Sequence, residues 1–204
     1  MKCLQLLLPM TLLGAIPTAH GAIVYSGLQN IAIPYSFSGV YVNIQTLGTS
    51  FNQPADFDTS PWLNLDFGGV DISNGVLISP IVIGVGLDQV TNLSGGSAVG
   101  PAASFASSPN ASTTHLGPAV DQFQSNAPGY IGFSFNASPA GPAKYGWMRI
   151  SINDSGTGNG TVHDWAYEDV AGTSLPAGVV PEPTGLALIL WGMGSVLLRR
   201  VRAR

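Results

Sequence analysis

Cysteine is almost absent. The chain of 204 residues has one, Cys3, and a lone thiol can neither close an internal disulfide nor build a thiolate zinc site. Cationic side chains are nearly as scarce, with seven Lys and Arg against eleven Asp and Glu. Five of those seven cations sit at the two ends. Residues 22–180 keep only Lys144 and Arg149, against ten acids, a net charge of −8. Two isolated cations cannot track a phosphate backbone, so nucleic acid is excluded as a partner, and so are anionic headgroups outside the C-terminal tail. Histidine is limited to His115 and His163 in the same stretch, and no G-x-S-x-G elbow or other local catalytic signature accompanies them. What remains is Ser, Thr, Asn, Gln and Gly. These predict a neutral, hydrogen-bonding surface whose stability comes from packing alone.

A long apolar run is missing too, but shorter ones mark both ends. "MKCLQLLLPMTLLGAIPTAHGA" has Lys2, an apolar stretch from Leu4 to Ile16, and small residues at Ala19 and Gly21. This is the pattern of a signal peptide over residues 1–21, cut between Gly21 and Ala22. Cys3 precedes the apolar run and leaves with it. At the other end, Thr184 to Leu198 is a run of fifteen uncharged residues. As a helix it reaches roughly 22 Å, short of a bilayer core of about 30 Å. Arg199, Arg200, Arg202 and Arg204 follow. Their long stems can snorkel, which lets a short helix sit in the membrane with its basic end in the cytoplasm. Pro181 and Pro183 stop the helix from extending upstream. A single C-terminal transmembrane helix is therefore expected, with Arg199 and Arg200 as its cytoplasmic stop.

The triplet Pro181-Glu182-Pro183, the apolar helix and the arginine-rich end, in that order and behind a signal peptide, resemble the PEP-CTERM sorting signal of exported bacterial proteins. The resemblance covers residues 181–204. It implies recognition of Pro181, Glu182 and Pro183 by an exosortase, a membrane transpeptidase-like protease. It also implies the association with extracellular polysaccharide and biofilm that is common in that class. A looser resemblance covers Tyr145 to Gly178. It is strongest at Tyr145-Gly146-Trp147 and at His163-Asp164-Trp165-Ala166-Tyr167-Glu168, a stretch similar to one found just upstream of this signal in many such proteins. It supports the class and implies no mechanism.

Between the ends, 159 residues (22–180) suffice for one domain with its own core. Strand patterns dominate it. Val40, Val42 and Ile44 alternate with Asn43 and Gln45. Leu63, Leu65 and Phe67 alternate with Asn64 and Asp66. Ile131, Phe133 and Phe135 share a face, and Met148, Ile150 and Ile152 oppose Trp147, Arg149 and Ser151. Period-two alternation marks strands with one buried face. Val76–Gly86 is more uniformly apolar and reads as a strand covered on both sides, interrupted at Pro80 by an edge position or bulge. Gly-, Pro-, Asn- and Ser-rich turns separate these runs. The expected fold is all-β: an antiparallel, jelly-roll-like β-sandwich over residues 22–172. Residues 94–128 read as a long loop with one helical turn near Ala119–Phe123. Residues 173–180 read as a spacer lifting the domain off the membrane.

Candidates for chemistry are few. Asp56 and Asp58 share a face if extended, which suits a carboxylate pair, a calcium site or a solvated loop. Asn153–Thr161 has the oxygen-rich look of a cation loop, lacks the later acid of an EF-hand, and fits a hairpin connection equally well. His163, Trp165 and Tyr167 would line one strand face, either stacking on sugar rings or filling the core while Asp164 and Glu168 face water. Five N-x-S/T triplets, at Asn92, Asn110, Asn136, Asn153 and Asn159, are glycan acceptors in form. The expectation is a non-enzymatic exported protein with no cofactor or resident metal, a transient anchor in the inner membrane, and a final place at the cell surface or in the extracellular matrix. Its expected partners are signal peptidase, the exosortase and extracellular polysaccharide. A lectin-like carbohydrate-binding module is the alternative.

Overall fold

The alternating segments become strands. The computed structural model describes residues 21–83, 89–106 and 112–181. Along the chain these form β1 (Ile23–Tyr25), β2 (Ile31–Ile33), β3 (Val40–Asn43), β4 (Thr49–Ser50) and β5 (Trp62–Asp66). There follow a 3-10 turn (Phe67–Gly69), β6 (Asp71–Asn74), β7 (Ile78–Pro80), β8 (Val82–Ile83), β9 (Gln89–Val90) and β10 (Ala98–Val99). The last five are β11 (Ser112–Thr113), β12 (Pro128–Asn136), β13 (Ala143–Ser151), β14 (Gly160–Glu168) and β15 (Leu175–Pro176). Every strand pairing is antiparallel. The fold is all-β, and among the described residues no helix is long and apolar enough to cross a membrane.

One sheet runs β1-β14-β13-β12-β7, with β2 continuing the edge that β1 begins along β14. A second runs β11-β6-β5-β3-β4, and two-stranded ribbons join β8 to β9 and β10 to β15. The main core combines both large sheets. Ile131, Phe133, Phe135, Met148, Ile150, Val162 and Trp165 of the first meet Val40, Val42, Leu63, Leu65 and Ile72 of the second. Two facing antiparallel sheets around a shared apolar layer are consistent with a β-sandwich. The Trp165 indole N–H donates to the Ile44 carbonyl at 3.0 Å, joining the two sheets through the core.

The outer face of the first sheet differs from the expectation, because it is covered as well. Trp147 and Ala166 pack there with Leu175 and Ala177, and Val99 with Tyr145 and Ile81. Residues 173–180, expected as a spacer, are part of this cover. Leu175 pairs with Val99 in the β10–β15 ribbon, and the Val179 carbonyl accepts the Trp147 indole N–H at 3.1 Å. The physical reason is apolar area, since Leu175 and Ala177 hide Trp147 from water. Within 94–128, the described residues contain β10 and β11 rather than a helical turn. Ala119–Gln122 is bend and turn, and Phe123 enters the core. The Val76–Gly86 run splits at Pro80: β7 is an edge strand against β12, and β8 leaves for a separate ribbon. Residues 84–86 lie outside the described residues.

Candidate functional site

The β13–β14 hairpin shows why His163, Trp165 and Tyr167 do not act together. The register slips by one residue between Arg149 and Ile150: Arg149 faces Asp164 while Ile150 faces Val162. His163 is the extra residue of this bulge. Trp165 and Tyr167 therefore point into the main core, 1 % and 7 % exposed, and cannot stack on a sugar. His163 stays on the outer face. Asp164 and Glu168, expected to face water, are buried. Asp164 receives the Arg149 guanidinium at 2.5 and 3.0 Å and the Tyr25 hydroxyl at 2.9 Å. Burial, then the hydrogen bond to Asp164, pushes the Tyr25 hydroxyl above its usual range. Glu168 accepts the Val170 N–H at 3.2 Å.

His163 makes the nearest approach to a catalytic arrangement. Its Nε2 lies 2.8 Å from Ser151 Oγ, and its Nδ1 lies 3.4 Å from Asn30 Oδ1. Burial and the Arg149 charge hold the imidazole below its ordinary range, so it is neutral at pH 7. Nucleophilic catalysis also needs donors aimed at a developing oxyanion. Ser151 ends a strand flanked on both sides, by Pro128 of β12 and Thr161 of β14. Strand pairing occupies the backbone around it. The group reads as a hydrogen-bonded chain tying the β1–β2 connection to the sheet.

The other sequence candidates separate. Asp56 and Asp58 lie in an exposed turn-rich segment, and hydrogen bonds from Ser60 and Trp62 hold the Asp56 carboxyl below its usual range. Asn153–Asn159 is the connection between β13 and β14, with Asn153 Oδ1 accepting the Ser155 N–H at 3.0 Å. The Asn92 side chain is occupied, donating to Gln122 O and accepting from the Tyr130 N–H. Ala22 donates its N–H to Asp169 Oδ1 at 2.7 Å, just before β1, and Gly21 precedes it. Pro181 is exposed. Glu182, Pro183, Arg199 and Arg200, with the apolar segment between them, lie outside the described residues.

Phe67, expected on the buried face with Leu63 and Leu65, lies instead in the 3-10 turn after β5 and outside the main core, and two features of the β5–β6 hairpin were not singled out from sequence as sites. The first is an aromatic tip. Phe67 sits between Tyr35 and Phe37, with ring centroids 5.6 and 6.2 Å away and edge-on geometry in both cases. Phe37 is 82 % exposed. Phe67 holds φ of +46°, a left-handed conformation that costs a bulky residue about 1–2 kcal/mol. The tip abuts the β13–β14 connection at Gly68, whose φ is +71° and where a Cβ would lie 2.4 Å from the Asn153 carbonyl oxygen. Ser36, Ser38, Asn153, Ser155 and Thr157 belong to these neighbouring loops, and Asp154 is the only charged residue among them. The signal available in sequence was Tyr35-Ser-Phe37 in a turn, apolar rings where no strand alternation places them.

The second feature lies at the base of the same hairpin. Leu63, Leu65 and Ile72 face the core, so Asn64 and Asp66 of β5, with Asp71 and Ser73 of β6, face outward. Asp66 and Asp71 are directly opposed, and so are Asn64 and Ser73. Asn64 and Asp66 are each 5 % exposed, and their Oδ1 atoms are buried without a hydrogen-bond partner among the described residues. Burial, then the charge of Asp71, pushes the Asp66 carboxyl up to about 7. Burial raises Asp71 as well. An open cleft of about 240 Å³, lined by Gly117, Phe123, Ser125 and Asp154, lies elsewhere and has Asp154 as its one ionisable group.

No family model, curated protein or solved structure matches the chain.

Proposed function

We propose that this chain is an exported, exosortase-sorted protein of the cell surface or extracellular matrix. In this reading its β-sandwich is non-catalytic and works in association with exopolysaccharide and biofilm. The observation that carries it is the order of Pro181-Glu182-Pro183, apolar run and Arg199-Arg200 behind an N-terminal signal sequence. The surface charge supports it also, since a domain with two cations presents mostly neutral hydrogen-bonding groups to a polysaccharide matrix. A jelly-roll-like connectivity is the finer form of the fold in this reading, although the strands seen within each sheet follow one another largely as meanders.

The test is the intact mass and location of the chain in its producing cell. The parent is expected cut after Gly21, processed near Pro181, and outside the inner membrane. Glu182→Ala, or deletion of the four terminal arginines, should leave the C-terminal segment attached and the protein in the inner membrane. Variants processed and located like the parent would overturn the sorting reading.

A second reading, a lectin-like module, is favoured by the aromatic tip. Exposed rings beside uncharged hydrogen-bonding side chains suit the apolar faces and hydroxyl edges of sugars. In this reading Tyr35, Phe37 and Phe67 take the place first assigned to His163, Trp165 and Tyr167. Retention of the mature protein on the producer's own polysaccharide should be saturable and fall at least about tenfold in Tyr35→Ser/Phe37→Ser. Equal retention of parent and variant would leave the purely structural reading.

A further inference from the structure

We propose that Asp66, Asp71 and Asn64 form a weak calcium-binding site on the outer face of the five-stranded sheet, at the base of the β5–β6 hairpin. Charge balance is the first argument. Two carboxylates stand directly opposite one another across β5 and β6, and one of them is 95 % buried. Like charges so placed repel, and a buried carboxylate needs a counter-charge to stay ionised. The chain cannot supply one from its folded part. Its two cations between residues 22 and 180 both belong to the other sheet, where Arg149 pairs with Asp164 and Lys144 lies over the Tyr167 ring at 5.8 Å.

The second argument is independent of charge. Asn64 Oδ1, a neutral acceptor, is buried without a partner on the same strand face, two residues before Asp66. A buried acceptor left unpaired is costly, and two of them on one strand face indicate a missing donor or cation. The register sets these side chains side by side on one face. Opposed Cβ atoms lie about 5 Å apart, and same-face neighbours on one strand about 7 Å.

The donor chemistry selects the ion. Carboxylate and amide oxygens are available, with the Ser73 side chain opposite Asn64 and no nitrogen or sulfur ligand among these residues. This set suits a hard cation rather than zinc or copper. No group of three or more His, Cys, Asp and Glu that could hold a metal exists among the described residues. The site has two carboxylates only, with water completing the shell on the half-exposed Asp71 side. Calcium tolerates such irregular, hydrated coordination, whereas magnesium demands a tight octahedron. Two charges and a rigid sheet place the affinity near the ~10⁻⁴–10⁻³ M range of extracellular calcium modules. The acidic surface raises the local cation concentration further.

The test uses terbium as the calcium probe on the chelator-treated, dialysed full chain. Trp62 and Tyr41 lie on the same outer face and are positioned to sensitise terbium emission. Emission excited through the indole should rise saturably and be displaced by millimolar calcium, with magnesium at least about tenfold weaker. Asp71→Asn, at a half-exposed position that tolerates the change, should weaken terbium binding at least about tenfold, and Asp66→Asn should do the same. Asp58→Asn, in the exposed turn, should leave the titration unchanged. Calcium should raise the melting temperature of the parent and not of Asp71→Asn. The proposal is overturned if emission does not saturate, or if both hairpin variants, shown folded by circular dichroism, bind terbium like the parent.

Discussion

The two large sheets treat their outer faces in opposite ways. On the six-stranded sheet, Asp164 is matched by a cation: Arg149 binds it through two contacts and Tyr25 adds a third, beside a layer with Trp147 and Leu175, while Glu168 of the same strand accepts the Val170 N–H. On the five-stranded sheet, Asp66 is buried to a similar degree opposite a second carboxylate, and no cation among the described residues pairs with it. Both faces are polar in sequence and both are covered in the fold. What separates them is where the two available cations went. With Arg149 committed to Asp164, Asp66 must find a counter-charge elsewhere, take up a proton, or bear the cost.

That contrast breaks most sharply with a pair of substitutions of opposite sign. Arg149→Met removes the cation from Asp164 and leaves a buried carboxylate with only the Tyr25 hydroxyl. Breaking a buried ion pair costs about 3–5 kcal/mol, and the guanidinium is 35 % exposed, so a loss of about 2–3 kcal/mol is expected. Adding Asp164→Asn should recover most of it, because the orphaned charge is then gone. Asp66→Asn, in chelator, should instead stabilise by about 1 kcal/mol, since it deletes an unmatched buried charge while keeping the shape. Urea unfolding midpoints of the four proteins decide the matter. A destabilised Asp66→Asn would show that the two faces are not different in kind.

A smaller effect sharpens the same comparison through pH. His163 shares its surroundings with Arg149, Asp164, Ser151 and Asn30. Burial and Arg149 lower its pKa in the fold below the ordinary 6.5, and Asp164 opposes them without prevailing. A base whose folded pKa is depressed binds fewer protons folded than unfolded. Its contribution is therefore present above about 6.5 and fades as pH falls through the lower folded value. His163→Gln keeps a hydrogen bond to Ser151 without titrating. The parent should lose more stability than this variant between pH 7.5 and 5.5, read from unfolding midpoints at each pH. Equal losses would mean that the imidazole is not held neutral.

The inner faces were legible because alternation is a direct record of one buried side. Val40 and Val42, Leu63 and Leu65, and Ile131, Phe133 and Phe135 all lie where the period placed them. The outer faces were not, for two reasons. Binary alternation assigns the second face to water, yet Trp147 on the polar side of β13 signalled a second apolar layer, and Leu175 and Ala177 supply it from a stretch read as a spacer. A bulge is invisible to a period-two template. One extra residue at His163 reverses the phase, which put His163, Trp165 and Tyr167 on one face in sequence and on two in the fold. The β5–β6 hairpin was hidden differently. Asn64 and Asp66 looked like ordinary solvent-facing residues, and nothing in spacing reveals that a polar face will be covered.

The smallest expected effect concerns the aromatic tip and decides whether it is a minor core or a surface kept for another purpose. Phe67 adopts φ of +46°, where asparagine sits with little penalty and phenylalanine does not. If its ring contributes mainly local packing, Phe67→Asn loses apolar contact with Tyr35 and Phe37 and destabilises. That contact is limited, however, because Phe37 is largely exposed and Tyr35 is exposed as well. Relief of backbone strain should therefore win, giving a gain of about 0.5–1 kcal/mol in the unfolding midpoint. Retention on polysaccharide should fall in the same variant. A stabilising change that removes binding would mean that the strained ring is held at a cost to the fold, as a ligand platform is, whereas loss of stability would return the tip to the role of a packed turn.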